Sequence, residues 1–326
     1  MTAPAGLSAQ LTLAEETAYG TYTAPTRALD FVQESLKTTR TRLESKGLRA
    51  GRRVVTSSGW VVGERTVAGT INCELSQVGW GLIWKHALGA IASTGPTDSA
   101  YTHTATPGDL TGKSLTIQVG RPDVTGTVRA FSYTGCKINK WVLACKAGAI
   151  ATLDLDILAQ DESTAQALVN ASGMYPATML PVSFVQGLLQ AGGTAVDVKD
   201  ITLSGDNHLD PKRLFLRQAA TVKEPLESSW RDYTGTFTAD FTDLSLYNTF
   251  VNAAEVALVL TFQGGLIGTS SRYQTVITMN VRYDGETTVV PGPGQLSQPV
   301  PFKAIASGAA DSSAISVAFT TSESTP

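Results

Sequence analysis

The chain has 326 residues, of which 42% are apolar and only 16% charged, with 30 Gly, 14 Pro and a formal net charge of −3. That length holds about two ordinary domains and a sizeable core, so neither disulfides nor a metal is needed to hold it. The mild acidity excludes a protein bound to DNA through a broadly basic surface, and the low charge suits a surface covered by copies of the same chain.

The N-terminal Met1, Thr2, Ala3, Pro4 and Ala5 lack the charged stretch and apolar run of a signal peptide. Residues 1–26 show little periodicity and hold a polar, turn-like stretch, Glu15-Glu16-Thr17-Ala18-Tyr19-Gly20-Thr21. A strand is predicted over residues 29–36. Residues 37–65 are unlike the rest. Lys37, Arg40, Arg42, Lys46, Arg49, Arg52, Arg53 and Arg65 stand against Glu44 and Glu64, a local charge of +6 that leaves −9 elsewhere. With Gly47, Gly51 and Gly59 as punctuation, this reads as an extended basic loop or hairpin, either a solvated surface loop or an arm for an acidic partner.

Clean alternation follows. Val67, Gly69, Ile71, Cys73 and Leu75 share one face of a predicted strand, and Thr66, Ala68, Thr70, Asn72 and Glu74 the other. A helix is expected next, capped by Ser76 and stopped by Gly89. Its stripe of Trp80, Ile83, Trp84, Ala87 and Leu88 marks a core face. Residues 92–112 read as turns. Strands are predicted at 115–119, 131–145 and 149–158, the last with Ala151, Leu153, Leu155 and Ile157 opposed to Thr152, Asp154 and Asp156. Residues 159–195 read as a connection. The longest apolar run, residues 256–262, is far short of the ~20 residues that a spanning helix needs.

A shift of 166 residues lays Val67-Ala68-Gly69-Thr70-Ile71-Asn72-Cys73-Glu74-Leu75 on Tyr233-Thr234-Gly235-Thr236-Phe237-Thr238-Ala239-Asp240-Phe241. The helical stripe then falls on Leu246, Thr249, Phe250, Ala253 and Ala254. Strands at 256–262 and 273–283 follow. The expected organisation is two tandem repeats: residues 1–165 with the basic loop at 37–65, a connection at 166–196, a second repeat at 197–290, and a C-terminal strand and flexible tail at 291–326.

No catalytic constellation emerges, and the chain is read as no enzyme. Three cysteines, Cys73, Cys136 and Cys145, form no disulfide framework, and Cys136 and Cys145, nine apart, fall on opposite faces of a straight strand. His86, His103 and His208 have no metal-ligand spacing. His86 falls on the predicted helix, His103 in a Thr/Pro/Gly loop and His208 in an Asx-type turn. There is no Gly-x-Ser-x-Gly elbow and no phosphate loop. Asp154 and Asp156 have the chemistry for acid–base work, yet two residues apart on an exposed strand face they read as solvated. No catalytic, cofactor-binding or metal site is assigned, and no cofactor is expected.

The stretch Glu15 to Thr21, the strand–helix unit of residues 67–89, and Phe131-Ser132-Tyr133-Thr134-Gly135-Cys136-Lys137-Ile138-Asn139 leading into residues 141–158 together resemble the major tail tube proteins of long, non-contractile-tailed bacteriophages. The likeness spans most of the chain, and order and spacing carry it. It implies a mainly β fold, a tail-tube-like β-sandwich or barrel with a short flanking helix. It also implies a virion protein, folded in the host cytoplasm, whose partners are itself and other tail proteins (tape measure, tail terminator, distal tail). Rings of three chains with pseudo-sixfold symmetry, or of six, would stack into a tube through which DNA passes unbound, with no membrane partner. The position of the family's inter-ring loop matches Arg40, Arg42, Lys46, Arg49, Arg52 and Arg53. Thr70, Asn72, Glu74, Thr152, Asp154, Asp156, Thr236, Thr238 and Asp240 are the expected lumen-facing residues, because polar and acidic walls do not hold phosphate. The competing reading is a tail-fibre or receptor-binding module.

Overall fold

The computed structural model describes residues 6–176, 180–285, 287–290, 292–308 and 310–326. Residues 1–5, read above for a signal peptide, lie outside them. The first half comprises β1 (Gln10–Glu15), β2 (Arg27–Leu29), β3 (Gln33–Glu34), β4 (Lys37–Glu44), β5 (Trp60–Glu74), α1 (Gly81–Leu88), β6 (Gly89–Thr97), β7 (Ala100–Pro107), β8 (Leu115–Pro122), β9 (Val128–Lys146), β10 (Thr152–Ala159) and β11 (Asp161–Ser163). The second comprises β12 (Gly187–Ala191), β13 (Thr194–Val196), β14 (Val198–Asp206), β15 (Asp232–Asp240), α2 (Ser245–Val251), β16 (Glu255–Leu266), β17 (Arg272–Tyr283), β18 (Ser297–Ala304) and β19 (Ile315–Thr321).

Every ladder between named strands is antiparallel, and the two halves use them in the same order. In the first half the neighbours run β2, β1, β8, β9, β10, β5, then β4 and β3. In the second they run β13, β12, β16, β17, β18, β15, β14. β11 pairs β9 beyond β10, as β19 pairs β17 beyond β18. Among the described residues, the β6–β7 hairpin has no counterpart in the second series. Two ladders join the halves: β14 on the C-terminal part of β9, and β19 on β7.

Alternation drives this arrangement. β10 and β19 each bury every second residue, so one face enters the core and the other stays polar. The core holds Leu143, Leu153, Leu155, Ile201, Leu203, Phe237 and Phe302 from the sheet, closed over by Ile83, Trp84, Ala87 and Leu88 of α1. Trp84 meets Trp141 edge to face at 5.4 Å. The amide of the buried Asn207 donates to the carbonyls of Ala87 and Ile138, locking helix to sheet.

Gly69 and Gly235 occupy matching places. A Cβ on Gly69 would lie 2.5 Å from the Ser35 carbonyl oxygen, and one on Gly235 would lie 2.4 Å from that of Thr202. Gly69→Ala and Gly235→Ala are each expected to cost about 1–3 kcal/mol, since backbone must shift to make room. Thermal denaturation of the two variants checks this.

Several expectations are corrected. Residues 29–36 are not one strand but the end of β2, a break and the two-residue β3. Ser76 does not cap α1; its hydroxyl accepts from the Val78 and Leu180 amides instead, and Trp80 precedes the helix. Gly89 does end the helix, at φ 109°. Residues 92–112 contain most of the β6–β7 hairpin, and residues 159–195 contain β11, β12 and most of β13. α2 is short and half-buried through Leu246 and Phe250, while Ala253 and Ala254 lie exposed beyond it. His103 sits in β7, fully buried, bonded to the Ser93 hydroxyl and the Glu323 carbonyl. Glu323 also accepts from the Gly79 amide, so the C-terminal tail is tied down. Cys136 and Cys145 are both buried, because a bulge between Ile138 and Lys140 shifts the alternation. Burial pushes the thiol pKa values of all three cysteines up.

Candidate functional site: a polar sheet face and a basic arm

The strands β5, β10, β9, β14, β15 and β18 lie side by side, and their registers fix which residues share a face. Thr152 lies opposite Glu74, Asp154 opposite Asn72 and Asp156 opposite Thr70. Across β9, Lys140, Val142 and Ala144 continue that face to Asp206, Ser204 and Thr202 of β14. Thr236 and Thr238 of β15 follow opposite Thr202 and Asp200, and Asp240 ends the row opposite Ser297 of β18. All nine residues expected to face a lumen therefore stand on one continuous sheet face, and none is buried.

Short side chains and local bonds organise this face. The Asn72 amide donates to Asp154 at 2.9 Å, and the Thr238 hydroxyl donates to Asp200 at 3.0 Å. Lys140 pairs with Asp206 at 2.7 Å, which raises the lysine pKa, and Lys199 pairs with Asp240 at 2.5 Å. Asp232 is bridged by Lys303 and His208, and those bonds hold its carboxyl below the usual range. Asp156 goes the other way, raised by partial burial. Glu74, Asp154, Asp156, Asp200, Asp206, Asp232 and Asp240 outnumber Lys37, Lys140, Lys146, Lys199 and Lys303, so the face is net acidic. The pair Asp154 and Asp156 is part of this surface and forms no enclosed pocket.

The basic stretch is the distal part of the β4–β5 hairpin. Pairing runs to Glu44 opposite Trp60, and residues 45–59 form the tip. Arg40, Arg42, Lys46, Arg49, Arg52 and Arg53 are all exposed. Composition pointed only to charge, whereas the hairpin also exposes Leu43, Leu48, Val54, Val55, Trp60, Val61 and Val62. The Arg42 guanidinium lies 5.3 Å from the centre of the Trp60 ring. Such a patch on an otherwise solvated hairpin marks a contact surface.

A second surface went unread in the sequence. The β14–β15 connection, residues 207–231, occupies the place in the second half that the β4–β5 tip holds in the first. It exposes Leu214, Phe215, Leu216 and Trp230, the last 92% exposed. The Arg65 amide donates to the Ala220 carbonyl at 2.8 Å, so the middle of this connection lies against β5 below the arm's tip. The triplet Leu214-Phe215-Leu216, flanked by Arg213 and Arg217, was the available signal.

Among the described residues there is no group of three or more His, Cys, Asp and Glu fit to hold a metal, and no helix is long and apolar enough to cross a membrane. An acidic, solvent-accessible sheet face beside a partly apolar hairpin and loop suits a structural subunit that meets other subunits. The chain belongs to the phage tail tube protein family, whose pattern it matches over residues 6–304. It is a structural protein of the virion tail, which self-assembles and associates with other tail proteins. No curated protein matches it.

Proposed function

We propose that three copies of this chain close into a ring, that the rings stack into the hollow tail tube, and that genomic DNA leaves through its lumen. The observation that carries this reading is the repeated strand order. Each half supplies one complete series with one helix, so three chains provide six equivalent positions. Under this reading residues up to β11 form one tube unit and β12 to β19 the other. The two are tandem copies of one ancestral unit, and the β6–β7 hairpin is an insertion in the first. A ring of head-to-tail contacts closes, and stacking repeats it along an axis.

The polar face is assigned to the lumen. DNA in transit carries dense negative charge, and a wall rich in Thr, Ser and carboxylates offers no counterion-releasing contact that would hold it. Lys140, Lys199 and Lys303 are tied to carboxylates and are not free to grip phosphate. The arm reaches the adjoining ring, with its +6 charge set against the acidic remainder of the neighbour. The chain carries the tube wall and performs no catalytic step.

Negative-stain electron microscopy of purified protein, viewed end-on, tests the reading. Hollow rings with three copies and six similar masses are expected. Rings of six chains would overturn the two-units-per-chain assignment. Failure of concentrated protein to form rings, with or without a preformed tube end as a seed, would overturn the assembly.

A further inference from the structure

We propose that the groove between the β6–β7 hairpin and the β16–β17 turn binds an acidic saccharide, a sugar bearing a carboxylate or phosphate group, with Arg272 holding the acid group. This inference does not depend on the ring reading.

The groove follows from the registers. Thr94 lies opposite Thr102, Thr102 opposite Thr320, Thr320 opposite Gln274 and Gln274 opposite Gln263. One row of hydroxyls and amides thus crosses β6, β7, β19, β17 and β16, on the sheet face opposite the buried His103, Phe319 and Thr275. The row spans the junction of the two halves, where β7 meets β19. It forms the floor of a groove of about 490 Å³, within the ~300–1,000 Å³ span of small-ligand sites. Two turns wall it. Asp98, in the turn of the β6–β7 hairpin, accepts from the Thr269 and Ser271 amides at 3.0 and 2.8 Å, which holds the β16–β17 turn beside the hairpin.

The lining selects the ligand. Every side chain of the floor row is neutral and both donates and accepts hydrogen bonds, as sugar hydroxyls do. Arg272 is the one charged residue among those that line the groove. Its guanidinium is exposed, makes one long contact at 3.4 Å to the Gly264 carbonyl, and among the described residues forms no ion pair. Arg272 and Gln274 stand two apart on β17, so they share a face and a ligand lying on the floor reaches the guanidinium. A planar fork of this kind takes a carboxylate or phosphate through two parallel hydrogen bonds. A lone inorganic anion would leave most of the row unused, because strands ~4.8 Å apart spread its five tips over about 19 Å. A neutral sugar would leave the guanidinium unpaired.

Isothermal titration calorimetry of the full-length protein tests this, with glucuronate, glucose 6-phosphate, glucose and inorganic phosphate as probes. Saturable binding of glucuronate or of glucose 6-phosphate is expected, and the tighter of the two identifies the acid group. Glucose and inorganic phosphate are each expected to bind about tenfold or more weakly than that sugar, since each lacks one part of the recognised chemistry. Arg272 and Gln274 are not buried, so substitutions there are expected to leave the melting temperature unchanged. Arg272→Gln removes the fork, and Gln274→Glu sets a carboxylate beside it. Each is expected to lower affinity for the acidic sugar about tenfold or more. Absence of saturable binding by both acidic sugars, glucose or inorganic phosphate binding as tightly as they do, or either variant binding as the unaltered protein does would overturn the inference.

Discussion

Removing residues 46–53 from the tip of the β4–β5 hairpin is expected to leave folded subunits that close into rings and no longer stack. The tip makes no contribution to the core, and Lys46, Leu48, Arg49, Arg52 and Arg53 are all exposed. Its loss therefore changes stability by no more than about 0.5 kcal/mol, the usual range for surface changes. Its loss does remove four of the arm's basic side chains together with Leu48. Size-exclusion chromatography and electron microscopy read the result: short rings in place of tubes. Long tubes from the deletion would refute the role of the arm. The arm's two contributions separate by salt. Charge reversal at Arg49 and Arg52 should weaken stacking most at low ionic strength, where exposed charges are least screened. Trp60→Ser should weaken it at every salt concentration, because apolar burial is not screened.

Replacement of Glu16 is expected to have the largest effect on folding. Glu16 is 5% exposed and its carboxylate gathers four donors: the Gly20 amide at 2.8 Å, the Ser114 hydroxyl at 2.5 Å, the Thr116 hydroxyl at 2.9 Å and the Gly135 amide at 2.9 Å. It thereby pins the turn after β1 to β8 and β9. Ser114 and Thr116 are themselves fully buried, so water cannot replace the lost acceptor. Glu16→Ala is expected to cost about 3–5 kcal/mol, since hydrogen bonds to a charged group are each worth ~1.5–3 kcal/mol and buried donors without acceptors add a further penalty. In a chain of this size that lowers the melting temperature by roughly 5 °C. Glu16→Gln, which turns an amide N–H toward donors, should recover only part of it. A melting curve indistinguishable from the unaltered protein would refute the role. The neighbouring Glu15 differs in kind: it is partly exposed, pairs with Lys85 at 2.6 Å, and has its pKa lowered to about 2, chiefly by His86, whose Nε2 lies 3.5 Å away.

The long alternating strands were legible in the sequence because burial on one face imposes period two, and residues 151–157 show it without a break. The helix was legible as a stripe of large apolar side chains. What the pattern could not show was edge structure. The β6–β7 hairpin is rich in threonine, β6 is largely exposed, and the buried positions of β7 are the small Ala100 and Ala105 and the polar His103, so its strands carry no apolar alternation and read as turns. β12 and β13 are short strands, β13 at the edge of the series, within an apparent connection. The segment 33–36 bends over Gly69, which broke the expected strand and which only a three-dimensional contact explains.

Under the proposed two-unit reading, the 166-residue shift illustrates how an insertion hides a correspondence. Glu74 and Asp240, 166 apart, end equivalent strands, whereas the equivalents Thr152 and Ser297 are 145 apart. The difference of 21 residues is close to the length of the β6–β7 hairpin, so one fixed period cannot align both parts. As for the candidate site, the nine polar residues were readable because each sits opposite a core residue in its own strand. That they form one face required the registers of β9 and β14. The apolar residues of the arm were visible as letters, but exposure is a property of the fold and not of the letters.

The β6–β7 hairpin is present in one half alone, anchored at its turn by Asp98, whose carboxylate accepts from the Thr269, Ser270 and Ser271 amides at 2.6–3.0 Å. In the proposed ring it distinguishes alternate positions that otherwise look alike. An image reconstruction averaged with sixfold symmetry would therefore spread three hairpins over six places, each at half density, and the blurred feature would pass for a mobile loop. Averaging with threefold symmetry would restore it to full strength at every second position, which makes the hairpin a built-in marker of the tube's true symmetry.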